Sequence, residues 1–319
     1  MRAKAILGAF LAVQCFGYAH ADWPERRVEV VVPYAAGGGV DSFARPIVQK
    51  LGEQLGQPVV IANRTGAGGT IGVAFAAQAA KDGYTLLSGG VHQPMAEALY
   101  PNRGYQIDKS FAVIAITAVV PNVLVVNPDS GIGDVATLIA RARANPGSLS
   151  YCSSGPGTSQ HIIAESFLRE TGLKMVAIHY RGTAPALNDL LAGQCQLMFD
   201  GMGTSAGHIE SGKLKALAMT SARRSQLFPN IPTMAEAGGP AMDAGTWYAF
   251  WAPVGTPEPI VSRLRSEIQR AVASPEVSRL WAKLGAEVAN IPDAEIDEFV
   301  RTETARWTQE VRQLGVKIN

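Results

Sequence analysis

The residues of this chain that could do chemistry unaided are small ones. Val28 to Val32 runs into Pro33-Tyr34-Ala35-Ala36-Gly37-Gly38-Gly39-Val40-Asp41-Ser42: an apolar strand, a triple glycine and a helix start. Backbone without Cβ atoms lets N–H groups approach a ligand closely. A helix start adds unpaired N–H groups and the positive end of its dipole. Together these cradle an anion without any Lys or Arg. The pattern recurs at Leu149-Ser150-Tyr151-Cys152-Ser153-Ser154-Gly155-Pro156-Gly157-Thr158-Ser159. Hydroxyls of Tyr34, Ser154, Thr158 and Ser159 stand beside these turns, suited to carboxylate oxygens. The two turns are expected to face each other across a cleft and share one small anionic ligand. A branched residue at Gly38 is then expected to block binding. His92, on the loop after a strand-like run, is a further candidate contact; Arg181 either pairs with a carboxylate or lies solvated at the rim.

Catalytic patterns occur but lack their partners. Gly203-Thr204-Ser205-Ala206-Gly207 fits a nucleophile elbow, yet that machinery needs an acid and then a histidine downstream. Only His208 follows Ser205, three residues away. Gly207 to Lys213 resembles a P-loop with Leu214 where a magnesium-binding Ser or Thr belongs. Gly201 to Ala206 fits a loose dinucleotide fingerprint, but no acidic residue follows the next strand to receive a ribose. No CxxC or HxxxH pair is present, so neither a structural metal nor a cofactor is expected.

The frame that must position these turns is ordinary in composition. The chain has 319 residues, a formal net charge of +1, 47% hydrophobic and 17% charged residues. That length suits two α/β domains. Arg26-Arg27 and Arg223-Arg224 are isolated pairs, which argues against a nucleic-acid or polybasic membrane partner. Residues 1–21 read as a cleaved secretory signal: Arg2 and Lys4, an apolar run from Ala5 to Phe16, then Ala19-His20-Ala21. The apolar run is too short for a permanent span, and Gln14 disfavours a lipid anchor on Cys15. Cleavage leaves Cys152 and Cys195, which in an oxidising compartment read as one disulfide, with two buried free thiols as the alternative.

Strand-like and helix-like runs alternate: strand Val28–Val32, helix Phe43–Leu55, strand Pro58–Ala62, helix Ile71–Ala80, strand Tyr84–Leu87. Continuous apolar strands in that rhythm predict a parallel sheet covered on both faces, with ligands beyond the strands' carboxyl ends. Phe111–Thr117 and Val123–Val126 read as two extended runs, the first crossing between domains. The rhythm restarts with helix Ile132–Ala144, strand Leu149–Cys152 and helix Ser159–Glu170. Ser225–Pro240 reads as a loop with one short helix, Trp247–Trp251 as the return crossing, and Ile260 to Leu314 as closing helices. Two lobes joined by two crossings predict a hinged binding protein.

At this point the residues carry a resemblance. The mature chain resembles the Bug-type periplasmic receptors of tripartite tricarboxylate transporters. The matching blocks include Trp23-Pro24-Glu25-Arg26, the run from Val32 to Asp41, Asn63-Arg64-Thr65-Gly66-Ala67-Gly68-Gly69-Thr70-Ile71-Gly72 and Asp82 to Leu87. His179-Tyr180-Arg181-Gly182-Thr183-Ala184-Pro185-Ala186, Gly212 to Ala218, Pro232 to Gly238 and Ala252 to Pro257 continue the series. The resemblance implies a two-lobed α/β "Venus flytrap", class II type, that captures a small organic carboxylate and delivers it to a membrane permease. Carried over by position, the implied contacts are Tyr34, Ala36, Gly37, Gly38 and Asp41 in one lobe. Ser154, Gly155, Thr158 and Ser159 serve in the other, with Tyr180 and Arg181 near the mouth. This chain departs from the pattern at Pro46 and at Ser88–Gln93, where His92 and Gln93 replace small polar residues.

The expected organisation is a signal peptide over 1–21, a first lobe of 22–120 and 246–319, and a second of 121–245. The expected protein is periplasmic, monomeric and non-catalytic. The alternatives are a secreted α/β hydrolase using Ser205, or a binding protein that signals to a sensor.

Overall fold

A computed structural model describes residues 23–289 and 291–316; the expected signal over 1–21 lies outside the described residues. β1 (Val28–Val32) is four valines around one glutamate, and only Glu29 is partly exposed. Such a strand needs a sheet covered on both faces, and β1 pairs in parallel with β2 (Val59–Asn63) and β3 (Thr85–Gly90). The intervening helices are α1 (Gly39–Leu55) and α2 (Thr70–Ala77), with α3 (His92–Leu99) after β3. In α1, Val40, Phe43, Ile47, Leu51 and Leu55 recur at helical spacing and are buried, and Gly56, left-handed at φ 65°, ends the helix.

A short α4 (Ile107–Ser110) leads into β4 (Phe111–Val126). Then follow α5 (Val135–Ala144), β5 (Ser150–Ser153), α6 (Ser159–Thr171), β6 (Val176–His179), α7 (Thr183–Leu191), β7 (Leu197–Gly201), α8 (Met202–Glu210) and β8 (Lys215–Met219). The return strand β9 (Gly245–Pro253), α9 (Glu258–Val272), α10 (Pro275–Lys283), β10 (Glu287–Val288) and α11 (Ile296–Leu314) close the fold.

The strand order is β2-β1-β3-β9-β4-β7-β5-β6, with β8 and β10 also on β4. Phe111–Pro121 of β4 pairs with β9, whereas Asn122–Val126 pairs with β7 and β8. Two α/β lobes therefore share one long strand. The sequence reads as two separate runs here, and Pro121 between them has no N–H to donate. It is tolerated because it sits where β4 changes partners, so no continuing ladder is broken. Two further readings are corrected. α1 begins at Gly39, four residues before the apolar periodicity starts, and Pro46 lies inside it, leaving the Ser42 carbonyl without its usual helical donor. Ser225–Pro240 holds turns and no helix; Thr233 and Glu236 cap each other reciprocally, but Gly238-Gly239-Pro240 stops propagation.

The core lies on both sheet faces. Side chains of α1 and α7 to α10 cover one face, and those of α2, α3, α5, α6 and α11 the other. Along β4, Ile114, Val123 and Val125 point to the first and Val113, Leu124 and Val126 to the second, the period of two expected of a strand. Cys152 and Cys195 form a disulfide, with Cα atoms 5.9 Å apart, which excludes the free-thiol alternative. The bond ties β5 to the turn before β7, inside the lobe that carries the second cradle.

Candidate functional site

The carboxyl ends of β1, β3, β5, β6 and β7 lead into α1, α3, α6, α7 and α8. Five helix starts therefore meet where parallel-sheet ligands bind. They enclose a cavity of about 20 Å³, with Tyr34, Gly39, Val40, His92, Thr246 and Tyr248 on one side. Ser154, Ser159, Gln160, Thr183, Asp200, Gly201 and Thr204 form the other. That is room for about one water, so the lobes stand closed upon each other. No Lys or Arg belongs to this wall among the described residues.

The first turn is braced from within. The Gly37 N–H donates to Asp41 Oδ2 at 2.8 Å, and the same carboxylate accepts from Arg45 and from Asn63. Burial alone would raise the Asp41 carboxyl, but the Arg45 guanidinium, the Gly37 N–H and the Asn63 amide outweigh it and hold it below the ordinary range. The Gly38 N–H turns to the Ala35 carbonyl at 3.3 Å. Ala36 and Gly37 are exposed. Because α1 starts at Gly39, the Gly39 and Val40 N–H groups stand at the cavity without a protein acceptor among the described residues, as do those of Gln160 in the first turn of α6 and Thr183 in that of α7. Gly38 has φ −78°, ordinary for any residue, so a side chain there meets no backbone strain; Gly37 holds the left-handed conformation, φ +76°.

The second turn is likewise internally tied. The Thr158 hydroxyl and N–H both donate to the Gly155 carbonyl, at 2.7 and 3.3 Å. The Gly155 N–H donates to Ser153 Oγ and the Gly157 N–H to His161 Nδ1. Gln160 organises the wall: its Oε1 accepts from the Ser154 hydroxyl at 2.6 Å, and its Nε2 donates to Thr183 and to Asp200. Asp200 also accepts from the hydroxyls of Thr204 and Ser205 at 2.5 and 2.7 Å. Burial raises its carboxyl, against those hydroxyls and the amide.

Tyr34 and Ser154 also bound an outer hollow of about 260 Å³ with Gly66, Gly68, Tyr100, Gly155, Tyr180 and Arg181. Tyr180 is held by its hydroxyl donating to Asp189 at 2.6 Å, and Arg181 is exposed. Larger hollows of about 680 and 720 Å³ lie beside the β4–β9 crossing and over α11. In the first, Arg306 already pairs with Glu303 and Arg224 with Glu236.

His92 is the first residue of α3, not part of a loop, because α3 starts two residues after β3 ends. Ser205 is fully buried with its hydroxyl spent on Asp200, and His208 lies on the same helix, which disfavours a nucleophile there. The residues that sequence reasoning missed are Gly39, Val40, Gln160, Thr183, Asp200, Thr204, Thr246 and Tyr248. Asp200 lies at the carboxyl end of β7 and Thr183 opens α7 after β6, the strand-end positions whose signal found the cradles. Thr246 and Tyr248 come from the antiparallel β9 and carry no such signal.

A family model described as the tripartite tricarboxylate transporter family receptor matches residues 43–316. Among curated proteins, the chain is 36% identical to BugT of Bordetella pertussis over 321 residues, covering 99% of this chain and 98% of BugT. Among solved structures, the periplasmic binding protein BugD superposes with a TM-score of 0.88 at 36% identity, covering 92% of this chain and 99% of BugD. An R. palustris protein solved with adipate gives 0.88 at 34% identity, over 93% of this chain and 99% of that one. MatC from Rhodopseudomonas palustris, with bound malate, gives 0.86 at 32%, over 91% and 100%.

Proposed function

The chain belongs to the tripartite tricarboxylate transporter receptor family, and from that premise we propose that it captures a small organic carboxylate between its lobes in the periplasm and hands it to the membrane permease. The observation that carries this reading is the cavity itself: two helix N-termini, those of α1 and α6, face one enclosed polar space whose wall, among the described residues, holds no Lys or Arg. Helix ends are then the local source of positive potential for an anion. Relatives solved with adipate and malate support a ligand of that class. The outer hollow of about 260 Å³ is below the usual range for drug-sized ligands, which favours a small one.

In this reading one carboxylate meets the Gly39 and Val40 N–H groups and takes the hydroxyls of Tyr34, Ser154 and Ser159 in exchange for their present acceptors, the Gly68 carbonyl and Gln160 Oε1, with Thr158 holding the second turn. Gly37, Gly38 and Asp41, with Ala36 at the rim, shape the first turn. The remainder of the ligand extends past Gly155 toward Tyr180 and Arg181. The lobes comprise 22–120 with 246–319, and 121–245; the change of ladder at Asn122 supports that division. The protein is exported by a cleaved signal, acts as a monomer and carries no catalytic function.

A thermal-shift screen of mono-, di- and tricarboxylates tests the function. A bound carboxylate at a hundred times its Kd stabilises the fold by about 2.7 kcal/mol. No shift with any carboxylate would sink the reading. Arg181, exposed at the outer hollow, contributes no more than a surface ion pair, about 1 kcal/mol. Calorimetry on Arg181→Ala is accordingly expected to show a loss within about tenfold.

A further inference from the structure

We propose that His92 positions the second lobe's cradle from the first: its Nδ1 caps the N-terminus of α6 across the cleft, and its Nε2–H is the donor offered to a ligand oxygen. The proposal rests on the carboxylate reading above. It starts from a missing cap. Thr158 precedes α6, but its hydroxyl is turned to the Gly155 carbonyl, so the helix has no side-chain cap of its own. The N–H of Ser159, first in the helix, donates instead to His92 Nδ1 at 3.1 Å, from a residue 67 positions away on the other lobe.

An imidazole that accepts at Nδ1 is neutral and carries its proton on Nε2. That Nε2–H has no protein partner among the described residues, although His92 is only 6% exposed and forms part of the cavity wall. An unpaired donor on the wall of a polar cavity is open to an acceptor there, and a carboxylate oxygen is one. The groups facing the ring are few. Tyr34 packs edge-on at 5.2 Å between centroids. The Tyr248 phenol and the Asp200 carboxyl share the cavity, and Ser159 and Gln160 face it from α6. None supplies a fixed positive charge.

Protonation would convert the acceptor into a donor aimed at an N–H and set a cation at the positive end of α6. Burial lowers the ring to about 4, whereas a solvated ring in an opened cleft titrates near its ordinary value of about 6.5. The closed form thus binds fewer protons between those values. Closure is fully favoured above about pH 6.5 and is lost as pH falls toward about 4, for a drop in affinity of about tenfold or more between pH 8 and pH 5.

Calorimetry with malate and adipate at pH 8 and pH 5 on wild type, His92→Asn and His92→Ala tests the assignment. Asn keeps a neutral acceptor near the place of Nδ1 but does not titrate. It is expected to bind within about fivefold of wild type at pH 8, with His92→Ala at least tenfold weaker. Protonation of the ligand itself weakens all three alike, so the readout is the ratio of affinities at the two pH values. Wild type should lose about tenfold more than His92→Asn. Equal ratios, or His92→Ala binding as tightly as wild type, would overturn the assignment while leaving the carboxylate function standing. A wild type that binds neither acid nor any carboxylate in the screen overturns both.

Discussion

Gly39→Val is expected to abolish carboxylate binding in calorimetry, a loss of at least a hundredfold, about 2.7 kcal/mol, in a protein that still folds. A Cβ at Gly39 would fall on the Tyr248 hydroxyl. Tyr248 has nowhere to retreat: it is 5% exposed, its ring stacks on Phe43 at 4.7 Å, and Phe43 packs on Trp281. The first turn of α1 must therefore yield, carrying the Gly39 and Val40 N–H groups away from the cavity. Overpacking of this kind costs about 1–3 kcal/mol of stability, visible as a lower melting temperature without loss of the cooperative transition. Gly38→Val should be milder. Its φ of −78° suits any residue, and its Cβ would meet the Ala35 carbonyl at 3.3 Å and Thr183 at 3.7 Å. Gly38→Val weaker than Gly39→Val would contradict the placement of the free N–H groups.

Gly68→Val should separate closure from folding. Gly68 lies between β2 and α2 at φ +62°, and a side chain there costs about 1–2 kcal/mol for the left-handed backbone alone. Its Cβ would also stand 2.6 Å from the Pro156 carbonyl oxygen on the opposite lobe. Backbone cannot give way as a side-chain tip can, so the lobes must stay apart. Only the closed form meets Pro156. The ligand-free protein should thus lose stability by the backbone term and by whatever Tyr100, 3.0 Å from the same Cβ within the first lobe, must give, while affinity falls at least tenfold further. X-ray scattering with saturating carboxylate should show no compaction. Normal compaction and normal affinity would mean that this contact plays no part in closure.

The frame was legible because its signals are local. The valine-rich β1, the apolar repeat of α1 and the restart of the rhythm after β4 each follow from short-range pattern. The disulfide followed from the two cysteines left to a chain read as exported. The site was legible only as far as its turns. Glycine and small hydroxyls marked where the cradles lie, but which N–H groups remain free depends on where α1 begins. That start is set by Asp41 reaching back to the Gly37 N–H, a side-chain choice the apolar period does not register. Gln160 looks like any polar residue in a first helical turn. Its four-way bonding to Ser154, Ser159, Thr183 and Asp200 exists only once three strand ends are brought together. Tyr248 and Thr246 enter from the return strand, long after the cradles in sequence, and nothing nearby marks them. The unbroken β4 was hidden for the opposite reason: its continuity through Pro121 depends on a change of partner strand, which is tertiary.

The most direct measurement is a crystal structure of the protein with the tightest carboxylate from the screen. The account predicts one carboxylate of the ligand within hydrogen-bonding distance, about 3 Å, of the Gly39 and Val40 N–H groups and of His92 Nε2, with no guanidinium or ammonium touching it. A carboxylate held instead by Arg181, or by any cationic side chain in place of the two helix starts, would contradict it.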